Sequence, residues 1–416
     1  MRFSTGLGVL CAAVLVAGLG AVPAQASAPD RVHWVGAWAA SPQGGGPGQD
    51  RPSFTNRTLR QIVHTTVGGN LYRVRLTNAH GTAPLVIGEA HLALRGEGAA
   101  IRAGTDRRLT FGGSRQVTIA PGAEVVSDPA VLLVSKAADL AISLYVPGPT
   151  GPPTYHALSM QTSYTSPPGN HAGAVNMPVG ETFCWTAPPR PCITPWYFLA
   201  GVDALRSERL GTVVALGDSL TDGDSGADAS ALNRNARWPD LLAQRLNAQN
   251  GQEFGVLNAG IAGNRVLADG AGDSAARRLD RDVLTEPGVR WVVLFEGIND
   301  LYNRGGTAAD LIAAYQQIIE RTHAVGLPIY GATLTPAGFT DSREDERLAV
   351  NAWIRTSGQF DAVIDFDAAV RDPANPASLL PAFDAGDHLH FNVAGYQALA
   401  NSIDLSLFQL LVGGHR

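Results

Sequence analysis

The chain has 416 residues, more than the roughly 250 to 300 at which a single hydrophobic core stops growing, so we expect two domains. Its composition, with 45% hydrophobic and 16% charged residues, argues against disorder and indicates a globular protein. The formal net charge of -6 and the lack of long Lys or Arg runs argue against nucleic acid and anionic membranes as partners. A neutral substrate fits this charge better.

The first 26 residues have the features of a secretory signal peptide. Arg2 is their only charge, an apolar run extends from Leu7 to Val22, and Ala24-Gln25-Ala26 forms a small-x-small cleavage site. The apolar run is short for a membrane-spanning helix, so an uncleaved anchor is the weaker alternative. The pattern therefore predicts cleavage before Ser27 and a secreted, extracellular protein without a membrane anchor.

Residues 27–209 are predicted to form an all-β domain. Short segments rich in β-branched residues, many with alternating polarity, are separated here by Gly, Pro and Asn turn signals. This texture predicts a β-sandwich or jelly roll. The expected strands are Thr58–Val67, Leu71–Asn78, Leu85–Leu94, Arg115–Ile119, Val131–Val134 and Leu140–Val146.

Residues 210–416 change to strands that alternate with amphipathic helices, which is typical of an α/β domain with a parallel sheet. Five strands with their crossovers predict a doubly wound, flavodoxin-like three-layer fold. Thr307 and Asp310 have the spacing of a capping box at a helix start. The expected strands are Thr212–Leu216, Phe254–Asn258, Trp291–Phe295, Ile329–Leu334 and Ala362–Phe366, and the expected helices are Trp238–Ala248, Leu311–His323, Arg347–Thr356 and Val393–Leu407.

Cys184 and Cys192 are predicted to form a disulfide. They are a pair in a Pro-rich stretch of a chain expected to be exported to an oxidising compartment. Two Cys without a nearby His or further Cys make a poor zinc site, so we expect no metal there. The bridge is expected to close a surface loop.

The triplet Gly-Asp-Ser occurs three times, ending at Ser219, Ser225 and Ser274. Only the first triplet follows a predicted strand directly, which places Ser219 at the carboxyl end of the sheet, where open α/β folds build their sites. A serine hydroxyl is a poor nucleophile and needs a base that is itself oriented by an acceptor. Ser219 is therefore the predicted nucleophile, and a His with a carboxylate is the expected partner.

The segment Asp387-His388-Leu389-His390 follows the last predicted strand and precedes the last predicted helix. Asp387 and His390 are close enough in one turn for the carboxylate to accept from Nδ1 while Nε2 faces Ser219. His390 is then the base and later the acid, and Asp387 orients it. His388 is the competing histidine, and residue types alone do not separate the two. The remaining histidines, among them His156, are expected to be packing or surface residues.

Acyl transfer also needs donors directed at the oxyanion. The segment 258–264 after the second predicted strand contains Gly263, and the segment 296–300 after the third contains Asn299. Taken singly, such residues are more often structural. Because they follow successive strands, we predict that Gly263 N–H, Asn299 Nδ2 and Ser219 N–H form the oxyanion hole.

Four sequence blocks in the C-terminal half resemble those of SGNH (GDSL) hydrolases. They are Gly217-Asp218-Ser219-Leu220-Thr221-Asp222-Gly223, the segment 258–263, Gly297-Ile298-Asn299-Asp300 and Asp387-x-x-His390. Phe391 departs from the pattern, since many members carry proline there, and this departure bears on the local turn. In the N-terminal half, His33-Trp34-Val35-Gly36-Ala37-Trp38 and Trp196-Tyr197-Phe198-Leu199 are similar to a two-domain branch of the same family.

That branch resembles acylhydrolases and arylesterases found alongside xylan-degrading enzymes. The resemblance implies a serine carboxylesterase that requires no cofactor and removes short acyl groups, with acetyl esters on carbohydrate as the expected substrate. Two alternatives remain open at this point. One is a lipid or aryl esterase, and the other is a carbohydrate-binding protein whose hydrolase domain is silent.

Overall fold

The computed structural model describes residues 1–2, 32–44, 52–186, 188, 190–207, 210–249 and 253–409. The predicted signal peptide, apart from Met1 and Arg2, and the predicted mature N-terminus at Ser27 lie outside these residues. The domain boundary after residue 209 also falls outside them and remains a prediction. From Val32 onward the chain forms one compact unit that contains two large hydrophobic cores.

The N-terminal half consists of antiparallel sheets, as the sequence predicted. One sheet has the order β1-β14-β3-β8, with β9 also paired to β3, and the other has the order β12-β2-β10-β5-β6, while β4 pairs with β7 and β11 with β13. The strands are β1 (Val32–Ala39), β2 (Arg57–His64), β3 (Gly69–Thr77), β4 (Leu85–Ile87), β5 (Glu89–Leu94), β6 (Arg107–Arg108), β7 (Val117–Ile119), β8 (Glu124–Val126), β9 (Ala130–Val134), β10 (Asp139–Val146), β11 (Tyr155–His156), β12 (Tyr164–Thr165), β13 (Trp196–Tyr197) and β14 (Leu199–Ser207).

Side chains of both sheets contribute to one core. Val35, Val74 and Val202 of the first sheet and Leu59 and Leu144 of the second are buried in the same apolar cluster. Burial of a side chain of this kind contributes about 1.5 to 3 kcal/mol. The N-terminal half is thus built as two facing sheets around a shared apolar layer.

The strand predicted over Leu85–Leu94 is interrupted at Gly88. The chain before it pairs with β7, and the chain after it pairs with β10. Gly88 lies against the second sheet, because its N–H donates to Tyr145 O at 2.9 Å and a Cβ there would lie 3.0 Å from Tyr145 Cδ1. The break therefore marks the point at which the chain changes sheets.

The C-terminal half contains a five-stranded parallel sheet with the order β16-β15-β17-β18-β19. This is the 2-1-3-4-5 order of a flavodoxin-like sheet, as the sequence predicted. Its strands are β15 (Gly211–Gly217), β16 (Phe254–Gly260), β17 (Val289–Phe295), β18 (Ile329–Ala332) and β19 (Ala362–Ile364), followed by the hairpin strands β20 (Arg371–Asp372) and β21 (Asn375–Leu379). The helices are α1 (Ser219–Asp222), α2 (Trp238–Asn247), α3 (Ala275–Leu279), α4 (Ile298–Tyr302), α5 (Ala308–Ala324), α6 (Ser342–Thr356), α7 (Phe366–Val370) and α8 (Val393–Ser402).

Helix starts and ends follow local chemistry. The Thr307 hydroxyl accepts from Asp310 N–H while the Asp310 carboxylate accepts from Thr307 N–H, so α5 begins with the predicted capping box. Helix α8 ends at Ser402, earlier than predicted, and a short 3₁₀ turn over Leu405–Phe408 follows, capped by Asp404. None of the helices in the described ranges is long and apolar enough to cross a lipid bilayer.

Strand β1 packs directly against β16. A Cβ on Gly255 in β16 would overlap the backbone oxygen of Gly36 in β1, so glycine lets the two strands approach this closely. Gly36 N–H also donates to Pro287 O at 2.8 Å, and Arg75 Nη2 contacts Glu286 Oε2 at 2.5 Å. These contacts hold the first antiparallel sheet against the parallel sheet.

Candidate active site

Ser219 occupies a tight turn from strand to helix. Strand β15 ends at Gly217, Asp218 caps α1 by accepting from Leu220 N–H at 2.9 Å, and Ser219 is the first helical residue. A Cβ on Gly217 would lie 2.5 Å from Phe295 O, so glycine lets the chain turn closely against β17. The turn leaves Ser219 at the carboxyl end of β15, between β16 and β17 in the sheet.

Ser219, His390 and Asp387 lie together in the structure. His390 Nε2 is 3.0 Å from Ser219 Oγ, and His390 Nδ1 is 2.7 Å from Asp387 Oδ2. The second carboxylate oxygen of Asp387 accepts from the backbone N–H of His390 at 2.8 Å and of Leu389 at 3.1 Å. With Nδ1 donating to the carboxylate, Nε2 is the ring nitrogen that accepts from the serine hydroxyl.

The charges around His390 favour a protonated ring opposite an ionised carboxylate. Burial works against the charge of Asp387, but the hydrogen bond and charge of His390 outweigh it and hold the pKa of Asp387 well below its ordinary value. Burial likewise lowers the pKa of His390, yet the Asp387 hydrogen bond and the charge of Asp224 raise it overall. Arg190 acts on this pKa in the opposite direction. An imidazolium formed at this position is therefore stabilised.

The structure separates His390 from the competing histidine. His388 has a left-handed backbone, with φ of 65°, and its side chain is 77% exposed. Its Nδ1 contacts Asp384 Oδ2 at 2.8 Å instead of any group at Ser219. Phe391, at the position where proline was expected, is buried and packs edge-on against Tyr396, so it anchors the turn that holds His390.

The predicted oxyanion donors lie at the ends of the strands on either side of β15. Gly263 follows β16 and has φ of 78°, a conformation that favours glycine. In the part of the chain that the structure describes, the N–H groups of Ser219 and Gly263 donate to no protein acceptor. Asn299 lies in the first turn of α4 after β17, and its Nδ2 donates to Asn264 O at 3.0 Å, which orients the amide and leaves its second hydrogen available.

Glu296, directly after strand β17, is a buried acidic residue that was not predicted from the sequence. Both carboxylate oxygens of Glu296 are buried without a hydrogen bond among the described residues, and its nearest cation is Arg278, with Nη2 at 3.5 Å. Burial, and then the charge of Asp218, raises the pKa of Glu296 well above its ordinary value. Burial raises the pKa of Asp218 to about 7. Burial therefore disfavours the charged form of Glu296.

His156, expected to be a packing or surface residue, is buried and reaches the turn that carries Ser219. Its Nε2 is 2.9 Å from Asp222 Oδ1, and its Nδ1 is 2.9 Å from Ser41 O. The other carboxylate oxygen of Asp222 accepts from Ala262 N–H at 2.8 Å, directly before Gly263. A residue of the β-rich half thus holds the Asp222 carboxylate, which itself connects helix α1 to the segment that contains Gly263. The only signal in the sequence for this contact was Asp222, the second Asp of the Gly217–Gly223 block.

Cys184 and Cys192 form the predicted disulfide, with a Cα–Cα distance of 5.1 Å. The loop that they close carries Arg190, whose guanidinium pairs with Asp224 next to His390. Among the described residues no group of His, Cys, Asp and Glu side chains is arranged to hold a metal ion.

Comparison with solved structures finds esterases of similar fold. An aryl esterase of M. smegmatis is 18% identical, covers 46% of this chain and 95% of its own, and has a TM-score of 0.37. A carbohydrate acetylesterase from Sinorhizobium meliloti is 14% identical, with 46% and 95% covered and a TM-score of 0.37. A variant of an acetyl xylan esterase from Geobacillus stearothermophilus is 21% identical, with 47% and 94% covered and a TM-score of 0.36.

A search of curated protein sequences finds no match to this chain. The sequence profile described as the GDSL-like Lipase/Acylhydrolase family matches residues 215–398. This range contains all five residues predicted to take part in catalysis, namely Ser219, Gly263, Asn299, Asp387 and His390. Residues 215–398 therefore belong to the GDSL-like lipase/acylhydrolase family, and the chain carries the domain of an ester hydrolase.

Proposed function

We propose that this protein is a serine carboxylesterase in which Ser219 is the nucleophile, His390 the general base and acid, and Asp387 the residue that orients the base. The hydrogen bond of 3.0 Å between His390 Nε2 and Ser219 Oγ carries this proposal. It supplies the proton acceptor that a serine hydroxyl needs. The contact of 2.7 Å between His390 Nδ1 and Asp387 Oδ2 keeps the ring in the required tautomer.

The reaction proceeds in two acyl-transfer steps. Ser219 Oγ attacks the ester carbonyl as His390 Nε2 takes the hydroxyl proton, and the new oxyanion accepts from Ser219 N–H, Gly263 N–H and Asn299 Nδ2. The tetrahedral adduct then collapses, and His390 returns the proton to the leaving alcohol. Water, deprotonated by His390, attacks the acyl-serine, and collapse of the second adduct releases the carboxylic acid and restores the Ser219 hydroxyl.

We further propose a short acyl group, acetyl above all, on a carbohydrate as the substrate, and export of the enzyme by its signal peptide. The similarity of the N-terminal half to enzymes found with xylan-degrading systems supports the carbohydrate. The same similarity supports the short acyl group.

The test compares hydrolysis of p-nitrophenyl acetate, longer acyl esters and acetylated xylan by the wild-type protein and by Ser219→Ala. We expect Ser219→Ala to lose at least about 10³-fold in kcat, because removing a triad member costs that much or more. Ser274→Ala is the matched control, since it removes the serine of another Gly-Asp-Ser triplet.

Equal turnover by wild type and Ser219→Ala would reject the proposed nucleophile. A preference for long acyl esters would instead keep the mechanism and replace the acetyl group by a lipid ester. Secretion is tested separately, by expressing the chain in a bacterial host and determining whether the N-terminus of the exported protein is Ser27.

A further inference from the structure

A second carboxylate faces the same ring nitrogen of His390 that contacts Ser219. Asp224 follows Gly223, which caps the end of helix α1, and its Oδ2 is 3.8 Å from His390 Nε2. At this distance the interaction is electrostatic, since it is too long for a hydrogen bond. The side chain of Asp224 is only 5% exposed, so solvent screens it weakly. The proposed triad does not account for this residue.

The Asp224 side chain is held in place. Its backbone N–H donates to Ser219 O at 2.9 Å, and its carbonyl accepts from the Tyr396 hydroxyl at 2.7 Å. Its Oδ1 accepts from Gly226 N–H at 2.9 Å, which leaves Oδ2 on the side of His390. Asp224 is therefore a fixed carboxylate.

Arg190 neutralises this carboxylate from the opposite side. Its guanidinium pairs with Asp224 Oδ1, and its Nε donates to Gly226 O at 3.1 Å. Arg190 belongs to the loop that the Cys184–Cys192 disulfide closes. Trp185 N–H donates to Ile193 O at 2.7 Å across the base of this loop, and the Trp185 side chain packs against the apolar core of the β-rich half.

We propose that Asp224 and Arg190 are positioning residues that set the charge state of His390, Asp224 by favouring the imidazolium and Arg190 by limiting that effect. The inference rests on the proposed function, because it assigns these residues to the base of that reaction. A bare carboxylate beside Nε2 would keep the ring protonated, whereas the ring must be neutral to accept from Ser219. Without the carboxylate, the imidazolium formed during acyl transfer would lose a favourable charge.

Four charged or titratable groups face the ring of His390. Asp387 lies at Nδ1, Asp224 and Arg190 lie on the Nε2 side, and Asp218 precedes Ser219 at the end of β15. Burial lowers the pKa of His390, while the Asp387 hydrogen bond and then the charge of Asp224 raise it, and Arg190 lowers it. Substitution of Asp224 or Arg190 leaves the Asp387 hydrogen bond in place and so isolates their effect.

The test measures the pKa of His390 in two ways, in Asp224→Asn, in Arg190→Gln and in the double variant. The acid limb of the pH profile of kcat/KM reports the base of the free enzyme, and an NMR titration of the imidazole reports it without turnover. We expect Asp224→Asn to move both values to lower pH and Arg190→Gln to move both to higher pH, each by about one pH unit. The double variant should lie between the two single variants.

Arg355→Gln is the matched control, because Arg355 is 29% exposed, close to the 30% of Arg190, and is paired with Asp365. Its profile should coincide with that of wild type. An unchanged His390 pKa in the single variants, or shifts in the same direction in both, would overturn the proposal. If Asp224→Asn does not fold, Arg190→Gln alone decides. Failure of the esterase proposal is recognised separately, since it would leave Ser219→Ala active while the NMR titration still reports the ring.

Discussion

His156 in strand β11 contacts Asp222 at the end of helix α1, with 2.9 Å between Nε2 and Oδ1. Both side chains are almost fully buried, at 2% and 1% exposure. Burial lowers the pKa of His156, but the charge and hydrogen bond of Asp222 outweigh it and raise this pKa overall. Because Asp222 also accepts from Ala262 N–H, the contact fixes two segments of the site at once.

We therefore predict that His156→Ala lowers both stability and turnover. The variant leaves the buried Asp222 carboxylate without its partner, which costs about 3 to 5 kcal/mol in the free energy of unfolding. Without His156, Asp222 is held less firmly against Ala262 N–H, which should also lower kcat by about 10²-fold, since misplacement of a site by 1 Å has effects of that size. Urea unfolding and ester hydrolysis measure the two effects.

His323→Ala provides the comparison for His156. His323 also pairs with a carboxylate, at 2.8 Å from Asp361 Oδ2, but its side chain is 43% exposed. Its loss should leave kcat unchanged and cost less than about 1 kcal/mol. Equal effects of the two substitutions would contradict the positioning role of His156.

Glu296 predicts a pH dependence of stability. Its pKa is raised in the folded protein, so folding takes up a proton as the pH rises above the unfolded value of 4.5. This carboxyl thus makes the protein progressively less stable with rising pH above that value. Glu296→Gln cannot titrate, so the variant lacks this loss of stability with pH. The difference in free energy of unfolding between the variant and wild type should therefore grow by up to about 1.4 kcal/mol for each pH unit.

The measurement for Glu296 is urea unfolding between pH 4 and pH 8, with Glu320→Gln as the exposed control. The gain from Glu296→Gln should be small at the acid end and grow with pH, whereas Glu320→Gln should follow wild type throughout. A gain that is constant with pH would show that Glu296 does not titrate as its burial indicates.

The Cys184–Cys192 disulfide predicts a link between the loop and the base. The two cysteines are 8 residues apart, and closing a loop of that size stabilises a protein by about 2 to 3 kcal/mol in the chain-entropy description. The double variant Cys184→Ser/Cys192→Ser should lose about that much stability. It should also move the acid limb of kcat/KM to higher pH, as Arg190→Gln does, because Arg190 is no longer held on Asp224. Unfolding curves and pH profiles, recorded with and without reductant, separate these two effects. A variant that is less stable but keeps the wild-type pH profile would show that the disulfide does not position Arg190.

Local patterns identified Ser219, Asp387 and His390 as candidates. Ser219 directly follows strand β15, and Asp387 and His390 lie within one turn of each other. The 171 residues between Ser219 and His390 are spanned within the α/β half, whose strand order the repeating βα pattern predicts. Asp222 and His156 are 66 residues apart, and Asp224 and Arg190 are 34 apart, so both contacts depend on packing between the two halves. Hydrophobic periodicity does not report such contacts.

The prediction of the fold also missed two strands. Strands β1 and β14 were not among the strands predicted, because each contains a continuous run of buried residues without the alternation that marks a half-buried strand. The parallel strands β15, β16 and β17 are equally buried, but helices between them repeat the βα pattern and identified them. The regular alternation of elements, more than any one strand, made the α/β half predictable.

The orientation of the Asn299 amide predicts how the site responds to its removal. Its Nδ2 is fixed by Asn264 O at 3.0 Å, so the second hydrogen is held ready for an oxyanion instead of reorganising during the reaction. Asn299→Ala should lower kcat by about 10² to 10³-fold with little change in KM, because the bond forms in the transition state and not with the bound ester. Asn401→Ala, at an exposed residue of helix α8, should leave kcat near that of wild type. If Asn299→Ala instead raised KM and left kcat unchanged, this amide would act in substrate binding. Ser219 N–H and Gly263 N–H would then be the only oxyanion donors of the proposed mechanism.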